Sequence, residues 1–165
     1  NIKMVRSGIG FDVHQLKSGL NLYVGGIKIK SDFGSLGHSD GDALIHAIVD
    51  ALLGAACLGD IGKYFPSNQK RWKGVKSELF LFETKKLLSN HGAQISNIDS
   101  TIILQKPRIE NYLPEIRKNI SNILEIDDKV VSIKATTTDY LGYVGKSKGW
   151  SVMSIATIND SNEIN

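Results

Sequence analysis

Hydrophobic and polar residues alternate along several short stretches of the chain, which is the pattern of half-buried β-strands. Four stretches are predicted as strands: MVRSGIGFDVHQL (4–16), QISNIDSTIILQ (94–105), KVVSIKATTT (129–138) and WSVMSIATI (150–158). A fifth stretch, LNLYVGGIKI (20–29), predicts a hairpin because the glycine pair Gly25-Gly26 separates two runs of strand-forming residues.

Apolar residues recur at helical spacing in three other stretches. The first, ALIHAIVDALLGAAC (43–57), follows Ser39 and Asp40, either of which is a plausible N-cap. The second, KSELFLFETKKLLSNHG (76–92), ends at Gly92, and the third, LPEIRKNISNIL (113–124), has Pro114 in its first turn, where a helix tolerates proline. Segments 31–42 and 59–74 are predicted to be irregular.

Strands interleaved with helices favour an α/β (α+β) fold, in which a mixed β-sheet carries helices on one face. The length of 165 residues favours a single domain over 1–165, with a frayed tail at about 159–165. A net charge of +3 is too small to predict nucleic-acid binding, and no apolar run is long enough to predict a membrane span. The single cysteine, Cys57, lies in an apolar helical pattern and is predicted to be buried in a protein of a reducing compartment.

Polar residues interrupt the apolar pattern around the first long helix. His38, Asp42, His46 and Asp50 recur at intervals of four, which places neighbours on one helix face. Buried polar groups without partners are costly, so this stripe is either solvated or faces a functional cleft. This helix face carries Asp and His, whereas the exposed faces of the other helices carry Lys and Glu. The difference favours the interpretation that the stripe faces a functional cleft.

A metal site is the second candidate feature. Asp12 and His14 lie two residues apart in a predicted strand and therefore share a face. With His46 they form a set of three N/O ligands, and three protein ligands with an open fourth position are typical of catalytic zinc. The ligand types also suit Mn²⁺ or Co²⁺. Asp50 or Asp42, one turn from His46, could accept the second N–H of its imidazole.

Three further segments favour an anionic ligand. HSDGD (38–42) lies where a helix begins, and free backbone N–H groups and the helix dipole attract anions there. DIGK (60–63) and ATTTD (135–139) add hydroxyl groups and backbone donors, and Asp139 could hold a hard cation such as Mg²⁺ that bridges phosphates.

The stretches GIGFDVHQL, LGHSDGDALIHAIVDALLGAACLGDIGKYFP and IKATTTDYLGYVGKSKG resemble the 2-C-methyl-D-erythritol 2,4-cyclodiphosphate synthase family. The resemblance covers nearly the whole chain and implies a homotrimer of α/β subunits with active sites at the subunit interfaces. It also implies the conversion of a small-molecule cytidine diphosphate substrate, 4-diphosphocytidyl-2-C-methyl-D-erythritol 2-phosphate, into the cyclic diphosphate and CMP, in non-mevalonate isoprenoid biosynthesis.

Individual site residues follow from the same resemblance. Zn²⁺ or another divalent cation would be held by Asp12, His14 and His46, and a second cation, Mg²⁺ or Mn²⁺, would lie near Asp139 with bound nucleotide. His38 and Thr137 match positions that stabilise the transition state. The positions that match substrate contacts are Asp12, Val13, His14, His38, Ser39, Asp60, Ile61, Gly62, Phe65, Pro66, Ser67, Asn68, Gln69, Leu104, Gln105, Lys106, Pro107, Arg108, Ile109, Glu110, Thr136, Thr137, Thr138, Asp139, Tyr143 and Lys146.

The chain departs from the family pattern at a few of these positions. Asp139 stands where glutamate is more frequent, Lys146 where many members have arginine, and Met153 where an acidic residue is common. The residues also leave open a zinc phosphoesterase that uses metal-bound hydroxide, or a nucleotide-binding module with structural zinc. The expected location is the bacterial cytoplasm, or a plastid-type organelle if a leader was removed, with no nucleic-acid or membrane partner.

Overall fold

The computed structural model describes residues 4–161, which form strands and helices in alternation. The strands are β1 (Met4–Ser18), β2 (Leu22–Val24), β3 (Ile27–Ile29), β4 (Phe33–Leu36), β5 (Ala93–Ile103), β6 (Val131–Thr136) and β7 (Gly149–Asp160). The helices are α1 (Ala43–Ala55), α2 (Ile61–Tyr64), α3 (Glu78–His91), α4 (Leu113–Leu124) and α5 (Gly142–Gly145). Short 3₁₀ turns cover Lys70–Trp72, Glu110–Tyr112 and Asp128–Val130.

Five strands form one mixed sheet in the order β4-β1-β7-β5-β6. The pair β5 and β6 is parallel, and the other neighbours are antiparallel. Strands β2 and β3 form a separate hairpin whose turn is Gly25-Gly26, as the glycine pair predicts. The predicted fold class, a mixed sheet with helices packed on one face, is confirmed.

Alternation along β1 separates the two faces of the sheet. Even-numbered residues of β1 face helix α1, whose predicted apolar stripe is fully buried. Gly8 and Gly10 lie against the backbone of α1, and a Cβ atom at position 10 would be 1.8 Å from the carbonyl oxygen of Ala47. Because these glycines have no side chain, the helix packs directly on the strand and brings its own polar residues close to β1.

The odd-numbered face of the sheet remains uncovered in a single chain. Large apolar side chains project from β1 and β7 on this face, and each is 45% exposed or more: Val5, Ile9, Phe11, Val13, Met153 and Ile155. Such a patch on a monomer is typical of a protein–protein interface.

Several predicted boundaries are wrong. The segment predicted as an irregular loop at 31–42 contains strand β4, because its backbone pairs with the extended end of β1. Strand β7 runs to Asp160, so the predicted frayed tail begins too early, and residues 162–165 lie outside the described part of the chain. The segment 139–149 contains the short helix α5, and β6 is shorter at both ends than predicted.

Asp42 is neither solvated nor in a cleft. Its buried carboxylate caps α1 by accepting a hydrogen bond from Ile45 N, so the predicted caps Ser39 and Asp40 are wrong. The same carboxylate also accepts hydrogen bonds from the backbone N–H groups of Gly25 and Gly26, at 3.0 and 2.7 Å. One side chain therefore joins the start of α1 to the β2–β3 turn. Burial raises the pKa of Asp42 to about 7. The three hydrogen bonds stabilise the ionised form and lower the pKa, but they do not cancel the effect of burial.

Cys57 is exposed, which corrects the prediction of a buried thiol. Helix α1 ends at Ala55, two residues earlier, and Cys57 has a positive φ of 55° beyond that end. The helical pattern continues in the sequence past the point where the backbone leaves the helix. The Cys57 Sγ atom contacts the guanidinium of Arg6 at 2.6 Å.

Candidate active site

Three side chains from two elements converge on the inner face of the sheet. Asp12 and His14 project from β1, and His46 projects from the second turn of α1. The Asp12 Oδ2 atom lies 2.9 Å from His14 Nδ1 and 3.2 Å from His46 Nδ1. One ligand atom from each of the three residues lies within 4.8 Å of the other two. The predicted set is thus brought together by the close packing of α1 on Gly10.

The unsatisfied atoms of this cluster fit a divalent cation. Asp12 Oδ2 and His14 Nδ1 are buried, and although they lie 2.9 Å apart, neither makes a hydrogen bond of acceptable geometry with any described residue. Unsatisfied buried polar atoms are costly, and a cation that accepts their lone pairs would satisfy both. Burial opposes ionisation of Asp12, but the two imidazoles outweigh it and lower the pKa of the carboxyl group. An ionised carboxylate beside two imidazoles is a suitable ligand set for zinc.

The second nitrogen of His46 contacts residues that the sequence did not single out for this purpose. His46 Nε2 lies 2.8 Å from Ser77 Oγ and 3.3 Å from Ser39 Oγ. The predicted partners, Asp50 and Asp42, are wrong. Asp50 accepts a hydrogen bond from Ile61 N at 2.8 Å, and Asp42 caps the helix. Among the described contacts, His46 Nε2 therefore meets the two serine hydroxyl groups and neither of these carboxylates.

A cleft of about 300 Å³ opens beside the three candidate ligands. Its wall includes the predicted residues Asp12, Val13, His14, His38, Ser39, His46, Ile61, Gly62, Phe65 and Ser67. Asp60 lies beside it as the N-cap of α2, where its carboxylate accepts a hydrogen bond from Lys63 N. Pro66, Asn68 and Gln69 continue the chain from the wall toward the 3₁₀ turn at Lys70–Trp72. This opening is referred to below as the metal cleft.

Aromatic residues form one side of the metal cleft, and two of them were not predicted. Trp72 and Phe80 join Phe65 in the wall, with ring centroids 4.7 to 5.7 Å apart. The Phe80 ring also lies 6.0 Å from the imidazole of His46. In the sequence, Trp72 lies in an irregular segment and Phe80 belongs to a helical apolar pattern, so neither carries a signal for a site.

A second cleft, of about 190 Å³, is lined by residues that are predicted to bind the nucleotide. Its wall includes Leu104, Gln105, Pro107, Arg108, Ile109, Glu110, Thr136 and Thr137, together with Ala135. Lys106 precedes Pro107 through a cis peptide bond. The two segments are joined by hydrogen bonds from Leu104 N to Thr136 O and from Tyr140 N to Gln105 Oε1. This opening is referred to below as the nucleotide cleft.

Other predicted residues lie outside the walls of the two clefts. Asp139 is exposed, and its backbone N–H donates to Thr137 Oγ1 at 3.3 Å. Thr138 and Tyr143 line a neighbouring depression that also includes Phe11 of the uncovered sheet face. Lys146 is exposed at the end of α5.

The two clefts lie at one level of the sheet but on different strands. Register pairs Val13 with Ser151, Ser151 with Ile103, and Ile103 with Thr136. Three strand-to-strand steps therefore separate Val13, in the wall of the metal cleft, from Thr136, in the wall of the nucleotide cleft, so these two backbones lie about 14 Å apart. The catalytic candidates His38 and Thr137 belong to different clefts of the chain.

Known proteins share both the sequence and the fold. The YgbB family profile matches residues 5–159. The 2-C-methyl-D-erythritol 2,4-cyclodiphosphate synthase of Clostridium novyi (strain NT) is 50% identical over 156 residues, which cover 94% of this chain and 99% of that protein.

Solved structures of other proteins are also similar to this chain in fold and in sequence. Bifunctional IspDF from Campylobacter jejuni has a TM-score of 0.93 and 33% identity, covering 98% of this chain and 44% of that longer chain. IspF of Plasmodium falciparum, in complex with CDP, has a TM-score of 0.84 and 35% identity, covering 98% of this chain and 100% of that chain. The chain therefore belongs to the YgbB family, together with relatives named 2-C-methyl-D-erythritol 2,4-cyclodiphosphate synthase.

Proposed function

We propose that this chain converts 4-diphosphocytidyl-2-C-methyl-D-erythritol 2-phosphate into 2-C-methyl-D-erythritol 2,4-cyclodiphosphate and CMP, a step of isoprenoid biosynthesis. The observation that carries the proposal is the cluster of Asp12, His14 and His46 in the wall of a cleft that also contains His38. A cyclisation of this kind needs two phosphate groups held close together, and the cleft offers imidazole and hydroxyl groups beside a candidate cation site for them.

The reaction is an intramolecular phosphoryl transfer. An oxygen of the 2-phosphate forms a new bond to the β-phosphorus, and the bond from that phosphorus to the bridging oxygen breaks, so the oxygen leaves with CMP. The nucleophile belongs to the substrate, so no activated serine or cysteine is required. Catalysis then consists of positioning and of stabilising charge on the reacting oxygens.

Protein residues divide this task between the two clefts. In the metal cleft, His38, Ser39 and the backbone at 60–62 would hold the erythritol and its phosphate. In the nucleotide cleft, the segment 104–110 and Thr136 would hold the cytidine end, and Thr137 would donate to the phosphates. Tyr143 and Lys146 would add phosphate contacts, with Lys146 acting as a point charge where a bidentate arginine grip is absent.

Two cations complete the proposed site. Asp12, His14 and His46 would hold Zn²⁺ or another divalent cation, and the carboxylate of Asp139 would face Mg²⁺ or Mn²⁺ with the nucleotide bound. Such ions polarise phosphoryl oxygens and shield their negative charge. The unsatisfied atoms Asp12 Oδ2 and His14 Nδ1 support the first of these sites.

A homotrimer would bring the separated clefts together. Within one chain, His38 and Thr137 belong to openings whose wall backbones on β1 and β6 lie about 14 Å apart across the sheet. The metal cleft of one subunit and the nucleotide cleft of its neighbour would then form one site. The uncovered apolar face of β1 and β7 supports this assembly, because closed symmetric oligomers bury such patches.

The cellular setting remains a prediction. Among residues 4–161, no helix has the length and apolar composition needed to cross a membrane. The bacterial cytoplasm, or a plastid-type organelle, stays the proposed location.

Phosphorus NMR with the cytidylyl substrate tests the proposed reaction. We expect equimolar CMP and cyclic diphosphate. A linear bisphosphate together with CMP would instead identify a metal-dependent hydrolase, and the absence of turnover with retained binding would identify a nucleotide-binding module. Either of the last two outcomes contradicts the proposal.

A further inference from the structure

We infer that Ser77 and Asp40 are positioning residues that hold His46 in the tautomer whose Nδ1 lone pair faces Asp12 and the candidate metal site. The inference rests on the proposed metal site, and it concerns residues that neither the ligand set nor the substrate contacts include. It follows from the directions of the hydrogen bonds that connect these side chains.

The contacts form a continuous chain from the carboxylate to the imidazole. The Ser77 hydroxyl group makes a short hydrogen bond to Asp40 Oδ1, and the Ser77 backbone N–H donates to Asp40 Oδ2 at 2.9 Å. His46 Nε2 lies 2.8 Å from the same hydroxyl oxygen. Ser77 is fully buried and Asp40 is partly buried, so the bonds are largely shielded from water.

The chemistry of the groups sets the donor at each step. The Ser77 hydroxyl group donates its one proton to Asp40 Oδ1. The serine oxygen is then left with lone pairs only, and it accepts from His46 Nε2–H. In the neutral imidazole a proton on Nε2 leaves Nδ1 unprotonated. Nδ1 is the atom that lies 3.2 Å from Asp12 Oδ2.

The position of Ser77 in the fold shows that its hydroxyl group serves this contact and not the helix. Ser77 is the N-cap residue of α3, where a serine side chain ordinarily accepts a backbone N–H of the first turn. Here the side chain makes no capping hydrogen bond. The first turn of α3 therefore has no side-chain cap from Ser77, and the hydroxyl group contacts His46 and Asp40 instead.

The hydrogen bonds from His46 through Ser77 to Asp40, here called the relay, oppose a competing tautomer of the imidazole. Without it, the Asp12 carboxylate would favour a proton on His46 Nδ1, because the two atoms lie within hydrogen-bond distance. That proton would occupy the lone pair needed by a cation. Groups that orient a ligating histidine through its second nitrogen commonly change metal affinity by roughly 10- to 100-fold when removed.

Nitrogen NMR of the metal-free protein tests the tautomer directly. The ¹⁵N shifts of His46, assigned with a His46→Asn variant and followed upward in pH until the imidazole is neutral, should show Nε2–H. In Ser77→Ala we expect a shift of the population toward Nδ1–H. An unchanged tautomer in Ser77→Ala would overturn the inference. This measurement involves no metal, so its result is independent of the proposed function.

Zinc affinity, measured by competition with a chelator, gives the second readout. Ser77→Ala should weaken binding by roughly 10- to 100-fold, and Asp40→Asn, which keeps a neutral acceptor, should have a smaller effect. The matched control is Ser121→Ala, which removes another buried helical hydroxyl that donates to Lys118 O far from the site. Equal affinity in wild type, Ser77→Ala and Ser121→Ala would contradict the inference. If wild type bound no zinc, the proposed metal site would fail, and the tautomer measurement would still decide the relay.

Discussion

Gly10 of β1 and Ala47 of α1 pack so closely that a Cβ atom at position 10 would be 1.8 Å from the Ala47 carbonyl oxygen. The obstructing atoms belong to the helix backbone, so a rotamer change cannot relieve the overlap. Ala47 directly follows His46, and Asp12 lies two residues after Gly10 on the same strand face. The spacing of strand and helix therefore sets the distance between the candidate metal ligands.

Substitution of Gly10 by alanine should displace α1 from the sheet. We expect Gly10→Ala to lower the free energy of unfolding by about 1–3 kcal/mol or more, the usual cost of overpacking. It should also weaken zinc binding, because His46 would move away from Asp12. Urea unfolding of the metal-free protein and chelator competition measure the two effects.

Gly54→Ala is the matched control for this substitution. Gly54 is an exposed residue of α1, and a Cβ atom there would meet nothing within 4 Å. An alanine in this last turn of α1 should stabilise the protein by at most about 0.5–1 kcal/mol, the value for a helix interior. If Gly10→Ala behaved like Gly54→Ala in both measurements, close packing would have no part in forming the site.

Removal of one candidate ligand should empty the metal site. We expect about one zinc per chain in wild type and a large loss in His46→Ala, because two remaining ligands hold zinc weakly. Elemental analysis after dialysis measures the content. His91→Ala, which changes a histidine near Asp160 at the other end of the fold, is the control and should retain its zinc. Equal zinc in wild type and His46→Ala would remove His46 from the ligand set.

The buried cap Asp42 should make stability depend on pH. Burial raises its pKa from 3.8 to about 7 in the native state, so between these values the native protein binds a proton that the unfolded chain releases. The contribution of this bound proton to the free energy of unfolding is fully present below about pH 4 and is lost as the pH rises to about 7. The upper limit of this loss is on the order of 4 kcal/mol. Urea unfolding from pH 4 to 8 measures this slope.

An asparagine at position 42 should remove that slope. Asp42→Asn cannot titrate, so the difference in unfolding free energy between wild type and variant should change over the same pH range. Asp60→Asn, at the exposed cap of α2, controls for the loss of a capping carboxylate. A constant difference between wild type and Asp42→Asn across the range would show that Asp42 keeps an ordinary pKa.

Co-expression of two variants tests whether the site is shared between subunits of the proposed trimer. Asp12→Asn damages the metal cleft and Thr137→Ala the nucleotide cleft, so each variant alone should have little activity. When both are co-expressed in equal amounts, about a quarter of the sites would combine two intact clefts and regain activity. Activity no greater than the sum of the two separate variants would place the complete site within one chain.

Local patterns were sufficient for much of this fold. Alternation along 4–16 and 150–158 predicted the two central strands, and Gly92 marked the end of α3 because only glycine adopts its left-handed conformation easily. The shared strand face of Asp12 and His14 follows from the two-residue period of a β-strand. Helix boundaries near Cys57 and Asp42 were predicted less well, because capping depends on contacts with distant segments.

The sequence by itself determined which residues share a strand face or a helix face, and both its residue types and its family resemblance indicated the three candidate metal ligands. Only the tertiary structure decided how those faces meet, because their distance depends on the packing of α1 against Gly10. The partners of Asp42 at the β2–β3 turn and of His46 at Ser77 likewise come from segments 16 and 31 residues away or more. Such contacts leave no periodic signal in the chain, since they arise when separate elements are packed together.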